Sequence, residues 1–301
     1  MSNKTFASLC TGEGLMDVGA QLAGFIPVWG VEIDAKHAAI AEQNLKHKVY
    51  NESIIGFDWR KVDRPDHLHV SPPCTRASTG NPKAGETNED AAIAQSCIAG
   101  IRYFQPDSFT LENVANYRNF KSFQAIVDCL WGLGYWVSAE ILNAADFGVP
   151  QTRKRLFVRA VKGGFPLPLE PTQQWRSWHD AIEDLLPKMP AAKLADWQRR
   201  SLKTDFNAAG LHLIETQNCS RAATVRHESQ PAMTVVSTWD GRFPKVLYFE
   251  SMTGWRLNAK SIARLQSVPD WFEGATVKGL GNGVPCLLGK AVMRSLFDLV
   301  R

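Results

Sequence analysis

The feature that most constrains this chain is the alternation of short apolar runs with helical segments between Thr5 and Val161. TFASL (Thr5 to Leu9) reads as a strand, CTGEG as a turn, LMDVGAQLAG as a helix closed by Gly24, and PVWGVEID as a second strand closing on Glu32 and Asp34. DAKHAAIAEQNLKHK reads as a helix with Asp34 as its N-cap. NESIIGFDWRKVD is mixed, and HLHV is the next strand. DAAIAQSCIAGIRYFQ and SFQAIVDCLWGLG are helical, the second ended by Gly134. Between them PDSFTLENV is a strand finishing at Glu112 and Asn113; YWVSAEILN is another, and FGVPQTRKRLFVRAV a loop and strand. Helices of about 10–15 residues carry the chain back between strands that run the same way. The expected fold is α/β, a Rossmann-like, doubly wound, mostly parallel sheet.

Past this region the texture changes. GGFPLPLEPT marks a boundary, RSWHDAIEDLLP an amphipathic helix, and residues 188 to 250 carry only short, weakly periodic pieces. Order returns with NAKSIARLQSVPDWF as a helix, LGNGVP as a tight Gly-Asn turn and CLLGKAVMRSLFDLV as a closing helix. The expected division is 1–165 with 276–301 as a first domain and 166–275 as a smaller, irregular second one. With 301 residues, 45% of them hydrophobic, there is chain enough for this. No run approaches 18 apolar residues, so no membrane span is expected. The first residues lack a signal-peptide core, and a cytoplasmic location is expected. The six cysteines have no C-x-x-C spacing, which argues against zinc and disulfides and for a reducing compartment. The histidines, His67 and His69 included, have no partners at metal spacing and read as surface or strand-face residues; no metal is expected. A net charge of +4 permits a polyanionic partner.

Two places carry candidate chemistry. The turn at Gly12 and Gly14, with Glu32 twenty positions past Gly12, suits a nucleotide-type pocket. Its glycines let a ligand approach the backbone, and a carboxylate at the end of the second strand reaches ribose hydroxyls. The second place is Cys74. The strand HLHV enters the interior, Pro72 and Pro73 end its ladder, and the thiol is the first side chain after that stiff exit. The polar segment from Thr75 to Asn88 reads as a loop beside this site. Glu112-Asn113, the run from Gln151 to Arg155 and Gly281-Asn282 also fall at loop-like positions.

In this order the motifs resemble the 5-methylcytosine DNA methyltransferase family. SLCTGEGLMDVG is similar to its first cofactor motif, VEID to its ribose-binding acid and Asp58-Trp59 to its adenine-contacting position. PPCTRAS is similar to the nucleophile loop, ENV to the catalytic-glutamate motif and QTRKR to the paired-arginine motif. RLNAKSIARLQSVPDWF resembles the helix that organises the small domain, and LGNGVP the closing turn on the cofactor side. The match leaves mainly residues 188 to 240 uncovered. It departs from the family at Cys10 (usually Phe), Leu15 (Gly), Ile33 (often Trp), Thr75 (Gln), Ala77 (Phe) and Ser261 (Glu). None of these removes a catalytic group.

The resemblance implies transfer of a methyl group from S-adenosylmethionine to carbon 5 of cytosine in double-stranded DNA. It implies a covalent Cys74 intermediate on a base flipped out of the helix. The first domain would hold cofactor and catalysis, and the second would recognise the target. Glu112 would bond ring nitrogen 3 and the exocyclic amine, as a carboxyl kept protonated by burial. Arg155 would hold the base oxygen, and Arg153 would position the loop or a phosphate. Cofactor contacts would come from Cys10, Thr11, Gly12, Gly14, Leu15, Glu32, Ile33, Asp58, Trp59, Pro73 and Asn282. Substrate contacts would come from Ser78, Lys83, Asn113 and Gln151, with Arg221, Thr224, Arg226 and His227 in the specificity region. A monomer is expected, from a prokaryote or phage, with a restriction-modification or orphan role. Two alternatives stay open: a tRNA cytosine-5 methyltransferase, and a catalytically decayed DNA-binding regulator.

Overall fold

Strands buried on both faces are near-continuous in apolar residues, and such strands sit at the centre of a parallel sheet. Here β1 (Thr5–Leu9), β4 (His67–Val70) and β5 (Ser108–Asn113) have that burial and occupy the middle of a seven-stranded sheet. The computed structural model describes residues 4–73, 85–196, 198, 209–215, 223–239, 245–248 and 253–300. The remaining strands are β2 (Ile26–Val31), β3 (Lys48–Tyr50), β6 (Trp136–Asn143) and β7 (Lys154–Val161). The order is β3-β2-β1-β4-β5-β7-β6. All pairs are parallel except β5 with β7 and β7 with β6, so β7 alone runs backwards. The mostly parallel, doubly wound sheet expected from the alternation is present; β3 is added where the expected helix was carried on to Lys48, α2 ending instead at Leu45.

The helices α1 (Leu15–Ala23), α2 (Ala35–Leu45), α3 (Asn88–Phe104), α4 (Lys121–Gly132) and α8 (Cys286–Phe297) complete this unit. Their ends follow capping rules. Asp34 accepts from the backbone N–H groups of Lys36 and His37, and Gly24 ends α1 at φ +105°. Thr87 and Asp90 close a capping box at the start of α3. Because side chains alternate across a strand, Ala7, Leu9, Leu68 and Val70 join one apolar core with α3 and α4. Phe6, His67 and His69 face the other way, with Phe6 stacked on both imidazoles at 5.4 and 6.1 Å. The two histidines are therefore not at the surface: they are 0% and 1% exposed. Burial of imidazoles is tolerable only when both ring nitrogens are bonded, and they are (below).

By contact the chain divides into two compact units: Met1–Asn143, Lys154–Pro171 and Gly283–Arg301 form the first, and Ala144–Arg153 with Thr172–Asn282 the second. The second holds a five-stranded antiparallel sheet of β8 (Ala191–Lys193), β9 (Leu211–Glu215), β10 (Thr224–His227), β11 (Lys245–Tyr248) and β12 (Thr253–Arg256). Its order is β10-β9-β11-β12-β8, in a region whose sequence showed no clear period. Short helices accompany it among the described residues: α5 (Trp178–Ile182), α6 (Ala259–Leu265) and α7 (Val277–Asn282). Buried Trp178 donates its Nε1–H to the His227 carbonyl at 3.0 Å, fixing α5 to the end of β10. Ser261 closes a capping box with Asn258, the work the family's Glu would do there. Two expectations are corrected. The helix begun at Ala259 stops at Leu265, where Ser267 turns to φ +54°, and does not reach PDWF. Gly281 and Asn282 end a short helix instead of forming a tight turn.

Candidate active site

In an open α/β sheet, ligands bind beyond the carboxyl ends of the strands where the strand order reverses. That point here lies between β1 and β4, and both candidate loops leave from it. On the β1 side, Cys10 turns at φ +57° and Thr11 donates its N–H to the Val31 carbonyl at 3.1 Å. The next residue takes φ +60°, a conformation that calls for glycine, and open space surrounds Gly12 where a Cβ would stand. Its N–H donates to Glu32 Oε2 at 2.8 Å, and the N–H of Asp34 donates to Glu32 Oε1 at 2.8 Å. Glu32 thus ties the turn to the end of β2. Gly14 caps α1 in the left-handed region, and Leu15 is buried beneath the turn. Ile33, by contrast, is 71% exposed at the mouth. Burial, with Cys97 and Glu32 nearby, pushes the Cys10 thiol well up, so it stays uncharged.

Asp58 caps a single 3-10 turn. Hydrogen bonds from Arg60 hold its carboxyl below the usual carboxylate range. Trp59 packs edge-on against Phe57 at 5.1 Å and Phe104 at 5.8 Å, and Gly100 of α3 gives its ring room.

On the β4 side, Ser71 donates its N–H to the Leu9 carbonyl at 3.2 Å, holding the exit of β4 against β1. Buried Asn113 donates from its side chain to the Pro72 carbonyl at 3.1 Å and accepts from the N–H of Val114 at 2.8 Å. It braces the Pro-Pro exit. Glu112 beside it is 5% exposed. Its Oε1 lies 3.3 Å from Arg155 Nε, and its Oε2 accepts from the Ser71 hydroxyl at 3.0 Å. Arg155 reaches Glu112 because β7 runs antiparallel to β5, which brings the start of one beside the end of the other. Pro73 is the last described residue before the candidate nucleophile. Cys74, Ser78 and Lys83 lie outside the described residues, as does Arg221 in the second unit.

In the second unit Gln151 and Arg153 are 0% and 1% exposed. Gln151 donates to the Leu265 carbonyl and to Gln266 Oε1 at 2.8 and 2.7 Å, and accepts from the N–H of Val235 at 3.0 Å. Arg153 donates to the carbonyls of Val235 and Gly281 at 2.7 and 2.9 Å. Gln266 donates in turn to the Leu280 carbonyl. These two motif residues knit backbone together from within, Arg153 joining the segments at 235 and 281. Asn282 is exposed at the end of α7, in this second unit. Thr224, Arg226 and His227 share one edge strand, β10, with Thr224 exposed and the others half-buried.

The model of the C-5 cytosine-specific DNA methylases matches residues 4–298. The chain belongs to this family. It is 31% identical to the Type II methyltransferase M.AplI of Arthrospira platensis over 96% of this chain and 84% of the relative. It is 27% identical to M1.HphI of Haemophilus parahaemolyticus, over 98% and 87%. Among solved structures, a prophage-encoded DNA modification methyltransferase of E. coli superposes with a TM-score of 0.73 at 18% identity, covering 99% of each chain. A Spodoptera frugiperda DNMT2 variant gives 0.71 at 14%, covering 98% of this chain and 100% of that one. These two structures share the fold. The protein is thus a DNA cytosine-5 methyltransferase by family, of the kind found in restriction-modification.

A family methylase uses S-adenosylmethionine, and the residues at the β1 crevice fit that group. The space over Gly12 is open, and Ile33 offers an exposed apolar surface. Glu32 spends one bond on each oxygen, which leaves further acceptor sites for a ribose diol. Among the described residues, no cluster of His, Cys, Asp or Glu could hold a metal ion, and no helix is long and apolar enough to cross a membrane. The sequence reading missed Ser71, His69 and Gln266. The first two were signalled by alternation: HLHVS and SFTLE place polar residues at every second position on neighbouring strands. Gln266 gave no such signal.

Proposed function

We propose that this methylase acts on carbon 5 of cytosine in duplex DNA through a covalent adduct with Cys74, on a base swung out of the stack. The observation that carries the reading is the buried pairing of Glu112 with Arg155 beside the braced Ser71-Pro72-Pro73 exit. Cys74 as thiolate forms a sulfur–carbon bond at ring carbon 6. The displaced electron pair moves toward ring nitrogen 3, where Glu112 supplies a proton, and Arg155 donates to the carbonyl oxygen of the base. S-adenosylmethionine, when bound, offers its sulfonium methyl as the electrophile for carbon 5. Water takes the proton from carbon 5, the freed electron pair re-forms the ring double bond as the sulfur–carbon bond breaks and Cys74 leaves as thiolate, and ring nitrogen 3 returns its proton to Glu112. Glu32, Gly12 and Ile33 would hold the cofactor in the first unit. The β10 edge with Thr224, Arg226 and His227 would read DNA in the second. Base extrusion costs a few kcal/mol, which phosphate and base contacts must offset. We read the protein as a cytoplasmic monomer.

Bisulfite sequencing of DNA from expressing cells tests the reaction, with methylated cytosine at one short site as the expected result. Cys74→Ser should abolish transfer, and DNA carrying 5-fluorocytosine should trap an adduct because fluorine cannot leave as a proton. Full turnover by Cys74→Ser would remove the covalent step, and methylation of tRNA in place of DNA would remove the substrate.

A further inference from the structure

Behind Glu112 a file of hydrogen bonds runs between β4 and β5. Ser71 Oγ meets Glu112 Oε2 at 3.0 Å and His69 Nε2 at 2.9 Å. His69 Nδ1 meets Thr110 Oγ1 at 2.8 Å, and Thr110 Oγ1 meets His67 Nε2 at 2.9 Å. His67 Nδ1 meets Ser108 Oγ at 2.6 Å. The parallel register sets His67 opposite Ser108 and His69 opposite Thr110, so the five side chains share one face with Glu112. All but Ser71 are at most 1% exposed.

While Glu112 is charged, hydrogen counting fixes the direction of every bond. A hydroxyl has one proton to give. Beside a charged Glu112, Ser71 must spend its proton on Oε2, so it receives one from His69 Nε2–H. Burial lowers the His69 pKa to about 3 and that of His67 well below 6.5, so both rings are neutral. With Nε2 protonated, His69 Nδ1 accepts from Thr110. Thr110 then accepts from His67 Nε2–H, and His67 Nδ1 accepts from Ser108. Among the described residues, Phe6 of β1 stacks on both rings, Ser8 of β1 is bonded to Thr11 and Asp17, Arg155 of β7 faces Oε1, and Arg159 of β7 is paired with Glu140.

We propose that Ser71 and His69 are positioning residues for Glu112: the file behind them holds the charged carboxylate in one orientation, with Oε2 receiving the Ser71 proton and Oε1 turned toward Arg155. The carboxylate is thereby already set toward the cytosine edge before the base arrives. This inference rests on the reading of Glu112 as the acid given above.

Two measurements on the full chain test it. Nitrogen-15 imidazole spectra report the His69 tautomer directly, and protonation at Nε2 is expected. Protonation at Nδ1 would overturn the assignment whether or not the protein methylates DNA. In steady-state assays on a cytosine-containing duplex with labelled cofactor, Ser71→Ala and His69→Leu should lower kcat by about 10- to 100-fold, the worth of a bond to a charged group. KM for DNA should hold within about twofold. Ser71→Thr, which keeps the hydroxyl, should restore most of the rate. Wild-type kcat in Ser71→Ala would overturn the positioning role. Should that variant not fold, the His69 tautomer in the wild type decides. A wild type inactive on cytosine would instead count against the proposed function, with the tautomer still deciding the file.

Discussion

Gly281→Ala is expected to destabilise the second unit severely. A Cβ at residue 281 would stand 2.1 Å from the Ser237 nitrogen and 2.3 Å from the Val236 carbonyl carbon. Both are backbone atoms, so no rotamer change relieves the overlap, and one segment must move by about 1 Å to reach ordinary contact. Overpacking of that kind costs about 1–3 kcal/mol. The shift also pulls the Gly281 carbonyl from the Arg153 guanidinium, which donates to it at 2.9 Å. Losing a hydrogen bond from a charged, buried donor costs about 1.5–3 kcal/mol more. The total is about 3–6 kcal/mol. For a chain of this size each kcal/mol lowers the melting temperature by roughly 2 °C, so a fall of about 6–12 °C follows. Thermal melting followed by tryptophan emission suits the test, because Trp178 and Trp239 are buried in the affected unit. A fall below about 2 °C would refute the reasoning that backbone crowding, and not turn geometry, requires glycine here.

Three further outcomes are expected. Glu112→Gln keeps a hydrogen-bonding shape but cannot yield a proton, so kcat should drop by at least about 100-fold with KM for DNA little changed, measured by steady-state methyl transfer. Glu32→Ala removes the acceptor for the Gly12 and Asp34 N–H groups along with the ribose partner, and should weaken S-adenosylmethionine binding by about tenfold or more in calorimetry. Burial opposes charging of His47, but Asp17 at 3.5 Å outweighs it and raises the pKa above 6.5. The stability from this pair is therefore complete below about pH 6.5 and drains away as pH climbs through the raised value. Melting of His47→Gln beside wild type across pH should show a gap at acid pH that narrows on the alkaline side.

The first unit was legible because its strands and helices are long enough to show their periods, and because Asp34 and Gly24 mark helix ends by local chemistry. The small sheet was not. Its strands are only three to five residues long, and β8 pairs with β12 some sixty positions away, so no window of sequence contains the pattern. In the site, Glu112 and Arg155 were found as motif residues, and the reversed strand that joins them was not foreseen. Of the two places open to His67 and His69, surface or strand face, the structure gives a buried strand face. Alternation identified one polar face, and a polar face is ordinarily wet; here cross-strand hydroxyls satisfy each ring nitrogen, so the face can be dry. Gln151 was expected to contact substrate and Arg153 to position the loop or a phosphate; the tertiary carbonyls that receive both lie more than eighty positions away and leave no local mark in the sequence.

The division of the chain bears on any attempt to graft a new DNA specificity onto this scaffold. The second unit is not one continuous piece: it takes residues 144–153 from upstream and 172–282 from downstream. A donor cassette spliced in at 172 and 282 would leave the host's Gln151 and Arg153 to grip foreign carbonyls at 235, 265 and 281. Chimeras should be built as two coordinated inserts, or drawn from donors whose backbone at those three positions can be held by the same two side chains.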